Sequence, residues 1–431
     1  MKILMVSSGD FFSTYGGGQI YVKNLVDELI DRGIVISIAV PGEHEPPVSA
    51  YRGASVDYYP PSAVRPCSDA LVSLLRKIKP DIVHVHGDKA AFSRACHIAD
   101  IPCLVTAHHG GILCPAGTLL NYCDRICRIR ANYRDCLPCV LHTIRGGLLS
   151  FRSLRLFSMG LLLSVGRRLR KTVFIPYITP VGTAALSIQE KQDEWRDIIR
   201  YATVLISPSE AMAGSMMLNG ATEEMIRIVP HGIPLPVENT SPIAMGASSG
   251  EPLRFFYVGR ISHVKGLHVL LEAFSGVTGD AELHIIGGSG NKTEGRYLQS
   301  LKNRYASNSR IVWHGKVDNR MVGALTAEFD VMVHPTICLE VFGLTIAEAL
   351  AAGKPVISTR CGGAEMQVKD GVNGLLVEPN DAMALAGAMQ MVADSKVDIC
   401  SMSQAAPASV VSLEQHVSLL CDLYHSTAAK P

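Results

Sequence analysis

Two cations, two carboxylates and one glycine-opened helix start stand out as the chemistry-bearing residues of this 431-residue chain. Arg260 and Lys265 follow Leu253 to Gly259, an apolar run that reads as a buried strand, so both belong to the loop leaving a strand end. Phe342-Gly343 opens a helical pattern that stops at Gly353 before Pro355. The unpaired N–H groups and positive dipole end of such a helix, joined by two cations, suit a phosphate or diphosphate in a water-poor cleft. Gly343 lets a ligand approach the backbone closely. Glu340 precedes the helix and Glu348 lies within it, each offering two acceptor oxygens. Alone, any of these would read as an ordinary solvated side chain, so the grouping carries the argument.

Histidines supply a second set. Pro80 to Gly87 and Pro102 to His108 are short apolar runs opened by proline, and their C-terminal ends carry His84, His86 and His108, with His109 adjacent. Ligands of parallel sheets collect outside those ends. Gly16-Gly17-Gly18, between a strand at Lys2 to Ser7 and a helix at Gln19 to Arg32, reads as a loop whose amides approach phosphate or sugar. Five cysteines fall close together at Cys114, Cys123, Cys127, Cys136 and Cys139. Their Cys-x-x-x-Cys and Cys-x-x-Cys spacings match tetrahedral zinc with one thiol too many: Cys114, Cys123, Cys136 and Cys139 as ligands, Cys127 as the alternative. Pro115 and Pro138 suit tight ligand loops, and the segment reads as lacking core periodicity. Structural zinc and free thiols are the two leading readings, ahead of an iron–sulfur cluster or disulfides.

The elements that position these residues alternate strand and helix, the pattern of a parallel α/β architecture. At 48% hydrophobic content the chain can fill two cores, since single cores stop growing at roughly 250–300 residues. A shift to Pro, Ser and Gly after Ile228-Val229-Pro230-His231-Gly232 marks a linker at 236–250. The expected division is 1–235, carrying a Cys-rich, basic insertion at about 110–175, then 251–408, then a C-terminal helix at 409–431 crossing back to the first domain. A net charge of +1 argues against a nucleic-acid coat, yet Arg125 to Lys171 holds eleven basic residues against one acid, Asp135. Leucines and phenylalanines between those cations suit the surface of an anionic membrane. With no apolar run of roughly 20 residues, the expected location is the cytoplasm, reaching the inner face of the membrane.

The stretch from Pro335 to Pro355, with Glu340 and Glu348 around Phe342-Gly343 and closing on Ala352-Gly353-Lys354-Pro355, resembles glycosyltransferase family four, the group 1 glycosyltransferases. Gly362-Gly363, Asn373-Gly374, Val258-Gly259-Arg260 and Lys265-Gly266 extend the resemblance. It implies the GT-B fold, two facing Rossmann-like domains with a cleft between them, and a retaining transfer of sugar from a nucleotide-diphosphate donor. In it Arg260 and Lys265 hold the diphosphate, Glu340 accepts from donor-sugar hydroxyls and Glu348 from the ribose. Gly17, Gly18, Gly259, Val317, Phe342, Gly343 and Leu344 complete the donor site. His108, or its neighbour His109, stands near the reacting centre.

The resemblance further implies same-face substitution, with the leaving phosphate oxygen helping to take the acceptor proton. No Asp-x-Asp pair for a catalytic divalent metal stands out in the donor region, so no cofactor is expected for catalysis. The acceptor is expected to be a hydroxyl of a lipid-linked, polyprenyl-diphosphate or other glycan precursor of bacterial surface polysaccharide, with no nucleic acid involved. Two other classes stay open: a nucleotide-sugar epimerase of the same fold, and a non-catalytic nucleotide-sugar-binding protein.

Overall fold

A computed structural model describes the chain except residues 8, 10, 13–16, 43–47, 62–68, 146–177, 236–251 and 430–431. The 236–250 stretch and most of the basic segment, including Arg152, Arg155, Arg167, Arg168, Arg170 and Lys171, lie outside the described residues. Two compact units emerge. One comprises Met1–Cys123, Cys127–Val229 and Val417–Pro431; the other comprises Asp124–Ile126 and Pro230–His416.

The first unit runs β1 (Lys2–Val6), α1 (Gly17–Asp31), β2 (Val35–Pro41), β3 (Ala50–Tyr51), β4 (Ala54–Tyr59), α2 (Asp69–Ile78), β5 (Ile82–Val85) and α3 (Lys89–Ala99). It continues with β6 (Cys103–Thr106), α4 (Tyr133–Arg145), α5 (Ile178–Tyr201), β7 (Val204–Ser207), α6 (Glu210–Leu218) and β8 (Ile226–Ile228). Its sheet has the order β3-β4-β2-β1-β5-β6-β7-β8, parallel except for the short β3–β4 hairpin. Residues 3–6 of β1 and all of β5, β6 and β7 are buried, as expected of central strands covered on both faces.

The second unit runs β9 (Leu253–Val258), α7 (Leu267–Ser275), β10 (Ala281–Ile286), α8 (Lys292–Arg304), β11 (Ile311–Gly315), α9 (Asn319–Thr326) and β12 (Val331–His334). It closes with α10 (Leu344–Ala351), β13 (Val356–Thr359), α11 (Gly363–Gln367), β14 (Gly374–Val377), α12 (Ala382–Ala393), α13 (Ile399–Ala405) and α14 (Leu413–Ala428), of which Val417 onward belongs to the first unit. Its sheet is parallel throughout, in the order β11-β10-β9-β12-β13-β14. The chain moves outward from β9 to β11 and then returns to β12 on the other side. That reversal makes the gap between β9 and β12 a topological switch point, and such points are where open α/β sheets bind ligands.

Several motif residues serve this architecture. Lys354 is buried and donates from Nζ to the carbonyls of Ala327 (2.9 Å) and Phe329 (2.6 Å), just past α9. Asn373, fully buried, donates to the Gln367 carbonyl (2.9 Å) and accepts from the Lys369 N–H (2.7 Å), fixing the turn into β14. Among the described residues no helix is long and apolar enough to cross a membrane.

One glycine is required sterically. Gly266 has φ +70°, and a Cβ there would lie 1.9 Å from the Pro335 carbonyl oxygen. The loop after β9 therefore touches the loop after β12 backbone to backbone. Gly266→Ala is expected to lower the thermal unfolding midpoint clearly, by the equivalent of about 2–4 kcal/mol, because strain and a clash with backbone combine. An unchanged midpoint in differential scanning calorimetry would contradict the contact.

Candidate functional site

The Gly266–Pro335 contact brings the two loops of the second unit together, and with them Lys265 and Glu340. Glu340 is seated by its own backbone: its N–H donates to the Cys361 carbonyl (2.7 Å), and its carbonyl accepts from the Gly363 N–H (2.8 Å). Gly363 can only be glycine here, since a Cβ would lie 2.5 Å from the Phe342 Cα. The Lys265 ammonium donates to Glu340 Oε2, and His334 Nε2 stands 3.5 Å from the same oxygen. His334 is buried at the end of β12, with its ring nitrogens on Ser358 Oγ (3.3 Å) and Thr336 Oγ1 (3.2 Å).

Charge balance in this cluster sets the protonation states. Burial alone would raise the Glu340 carboxyl, but Lys265 and then His334 overrule it and hold it well below the carboxylate range. Burial would likewise lower the Lys265 ammonium, and the Glu340 charge instead raises it. Both groups stay ionised at neutral pH. Burial pushes the neighbouring Cys338 thiol up to about 12, with the Glu340 charge adding to the push and Lys265 and Arg260 opposing it, so all three act on one spot. Arg260 is the most open of them, its side chain 60% exposed and its Nε 3.6 Å from Glu294 Oε1.

Beyond Glu340, Gly343 caps α10 in the left-handed region at φ 88° and supplies no side-chain cap. The Ile346 and Ala347 N–H groups return to the Gly343 carbonyl, so Leu344 and Thr345 begin the helix as open donors. Gln367, buried, donates to the Phe342 carbonyl at 2.5 Å and fixes this entry. Glu348 is the single charged residue, among the described residues, lining a cavity of about 190 Å³ walled by Phe256, Val258, Val322 and Met332. Its outer side meets solvent, while desolvation on the walled side pushes its carboxyl up to about 7. A carboxylate among apolar walls suits a ligand with a flat apolar part and hydroxyls at its edge. Val317 is half-buried against the core cluster that contains Phe256 and Ile286, and it is not among the residues lining this cavity.

In the first unit the strand-end histidines are held by hydrogen bonds. His84, fully buried, meets Tyr424 Oη of α14 through Nδ1 (2.6 Å) and Thr106 Oγ1 through Nε2 (2.7 Å). His86 Nδ1 lies 2.7 Å from His108 Nε2, and Tyr21 of α1 packs edge-on against His108 at 5.1 Å between ring centroids. His108 and His109 thus differ: His108 is engaged with His86, whereas His109 accepts through Nδ1 from the Gly111 N–H (3.0 Å). Gly17 and Gly18 form the first turn of α1, so the helix starts two residues earlier than the glycine pattern suggests. His334 was the residue that sequence reading passed over; it stands at the C-terminal end of β12, the same signal that singled out His84, His86 and His108.

The zinc reading of Cys114, Cys123, Cys136 and Cys139, with Cys127 as the alternative, finds no support in the structure. Among the described residues no three or more His, Cys, Asp or Glu side chains are placed to hold a metal ion. Cys136 and Cys139 lie on α4, which runs through Pro138 where tight loops were expected. Tyr133, Leu137 and Leu141, together with Cys136 and Val140, form one apolar face packed on Val181, Ala184, Ala185 and Ile188 of α5. The segment does have helical core periodicity, and Cys136 is part of it. Burial pushes the Cys136 thiol up to about 12 and the Cys139 thiol up to about 11, with the nearby Cys114 and Cys127 adding to the push on both. All five are free, with Cys123 exposed.

The Lys265–Glu340 pair makes a pH prediction. A carboxyl whose folded value lies below its ordinary 4.5 adds stability above that value and loses it as the pH falls toward the folded one. Wild type should therefore exceed Glu340→Gln in thermal midpoint at pH 6–7, with the gap narrowing steadily below about pH 4.5. A pH-independent gap would show that the pair does not govern the Glu340 charge.

Comparison with known proteins places these features in a family. The sequence family "Glycosyltransferase Family 4" matches residues 15–151, and "Glycosyl transferases group 1" matches residues 244–406. D-inositol 3-phosphate glycosyltransferase of Xylanimonas cellulosilytica is 31% identical over 201 residues, 44% of this chain and 48% of that protein. The putative colanic acid biosynthesis glycosyltransferase WcaL of Escherichia coli is 26% identical over 261 residues, 53% of this chain and 63% of that protein. The chain thus spans about half to three-fifths of the length of these curated relatives. In fold, Anabaena HepE, solved in complex with UDP and glucose, superposes at TM-score 0.65 and 16% identity, covering 99% of this chain and 100% of that one. A Rickettsia africae glycosyltransferase superposes at TM-score 0.68 and 17% identity, covering 100% and 99%. With both halves matched and the two parallel-sheet α/β units of a GT-B architecture, the chain belongs to the group 1 glycosyltransferases.

Proposed function

We propose that this glycosyltransferase is a retaining enzyme that takes a sugar from a nucleotide-diphosphate donor and places it on a hydroxyl of a glycan precursor for bacterial surface polysaccharide. The observation that carries the reading is the Lys265–Glu340–His334 cluster at the switch point of the second unit, beside the open start of α10 and the Glu348 cavity. Lys265, held on Glu340, and the exposed Arg260 supply positive charge to a departing diphosphate. Open N–H groups at the start of α10 add donors for its oxygens. Glu340 keeps a carboxylate for donor-sugar hydroxyls, and Glu348 offers its oxygens to a ribose at the edge of an apolar slot.

Retention by double displacement would need a carboxylate nucleophile, and Glu340, bound to a cation, is poorly placed to be one, so the route to retention in this reading is same-face substitution. Substitution on one face, with the leaving phosphate oxygen receiving the acceptor proton, asks no other base of the second unit. A polyprenyl-diphosphate-linked acceptor, with contact to an anionic membrane through the basic stretch beginning at Arg125, belongs to the same proposal. An epimerase of the same fold would use the donor site alike but would transfer nothing to an acceptor.

A turnover screen across nucleotide sugars tests this reading. One donor is expected to release its nucleotide in an acceptor-dependent way and to yield a product of retained anomeric configuration by NMR. With that donor, Arg260→Ala and Glu340→Ala should each lower kcat/KM at least tenfold, a loss of about 1.4 kcal/mol or more of transition-state stabilisation. Turnover should persist in EDTA, because Arg260 and Lys265 provide the charge. Near-wild-type turnover in both variants would overturn the site, and an inverted product would overturn the stereochemistry.

A further inference from the structure

The first unit holds a cavity of about 480 Å³ between the start of α3, the turn after β6 and the middle of α5. That volume lies within the usual range of small-molecule sites, roughly 300–1,000 Å³. None of the donor-site groups described above lines it. Its wall discriminates among ligand classes. No phenylalanine, tyrosine or tryptophan is among the described residues lining it, which leaves a nucleobase no broad apolar ring to stack on. Ile112 and Ile198 are the only large apolar side chains among those residues, too few for a lipid tail. Five acids against three cations give no net positive field for a polyanion.

What remains is a dense set of fixed hydrogen-bonding groups. On α5, Lys191 pairs with Glu194 at 2.6 Å, and Asp197 pairs with Arg94 of α3. Held in these pairs, the carboxylates are oriented in advance and retain lone pairs for hydroxyl donors. Lys89, the first residue of α3, is half-buried and donates to the His86 carbonyl. Burial lowers its ammonium to about 8, with Asp88 opposing and Lys191 assisting. His109 accepts from the Gly111 N–H through Nδ1, so the neutral ring carries its proton on Nε2. His109 is exposed on its outer side, while desolvation on its inner side, then Lys89 and Lys191, lower it, so it is a neutral donor at physiological pH.

We propose that this cavity binds a sugar ring of the acceptor, a neutral and hydroxyl-rich ligand, with Lys89 and His109 as donors to it and Glu190 and Asp197 as acceptors from it. The assignment rests on the reading of the chain as transferring sugar to a hydroxyl acceptor. It also separates the adjacent histidines: His108 is engaged with His86, and His109 faces the acceptor.

Saturation-transfer NMR tests it directly, with D-glucose, D-galactose and myo-inositol as neutral probes and D-glucose 6-phosphate as the charged one. Each probe is measured with and without UDP on the full chain. At least one neutral probe is expected to bind, with affinity falling fivefold or more in Glu190→Gln and in Lys89→Met, and unaffected by Arg260→Ala in the other unit. Circular dichroism confirms that each variant is folded. Failure of every neutral probe, binding only of the phosphate ester, binding lost in Arg260→Ala, or binding unchanged in both cavity variants would overturn the proposal. If a neutral probe binds as described but no nucleotide sugar is turned over, the cavity stands and the transfer reading falls. Turnover with no neutral sugar in the cavity leaves the transfer reading standing and removes the cavity assignment.

Discussion

The candidate site of the second unit depends on one backbone contact, the approach of Gly266 to the Pro335 carbonyl. No side chain fits between the two loops, so the loop after β9 and the loop after β12 are locked at van der Waals distance. Lys265 is the residue before that glycine, and Glu340 lies five residues past Pro335. Their ion pair is therefore set by the main chain and does not rely on two long side chains finding each other. That distinction decides its worth. Ordering flexible partners cancels most of the gain of an exposed pair, whereas a pair pre-placed by backbone keeps it and holds Lys265 charged despite its burial.

The first unit uses the same device with other residues. Strands β5 and β6 end side by side, Val85 opposite Val105, so the residues just beyond them become neighbours by register alone. His84 on Thr106, and His86 on His108, follow from that pairing. Tyr424 of α14 then closes on His84, giving a buried imidazole a partner for its second nitrogen, as a buried polar ring requires. Chemistry-bearing groups in both units are thus placed by adjacent parallel strands.

Much of this was legible from residue order. The central strands announced themselves as short apolar runs because both their faces are buried, and the chain's alternation pointed to parallel sheets. The peripheral strands were not legible: β3 has two residues, and the apolar run of β14 is only Leu375-Leu376-Val377, so neither is long enough to read as a strand. In the cysteine segment the helical repeat at Tyr133, Leu137 and Leu141 was not legible, because the stripe is interrupted by Arg134, Asp135 and Pro138. Metal-like spacing and helical spacing coincide there, and the core periodicity shows only in the packing on α5. His334 escaped notice because its importance lies in what stands opposite it, Glu340, six residues on and across a loop.

The motif that identifies the family is consequently a mixture of two kinds of residue. Lys354 binds carbonyls beyond α9, Asn373 ties a turn, and Gly363 clears space for Phe342; none of these reaches toward a ligand. Lys265 and Glu340 retain charge facing a loop cluster, and Glu348 lines a cavity. The structural residues are nonetheless conditions of the chemistry. Gly363 donates its N–H to the Glu340 carbonyl at 2.8 Å and Gln367 holds the Phe342 carbonyl, so the carboxylate and the helix start are aimed by groups that never touch substrate. A substitution at Gly363 would move Glu340 without altering its charge. Sequence spacing records both kinds of residue equally, and only the hydrogen-bond partners tell which residues hold the site and which ones act in it.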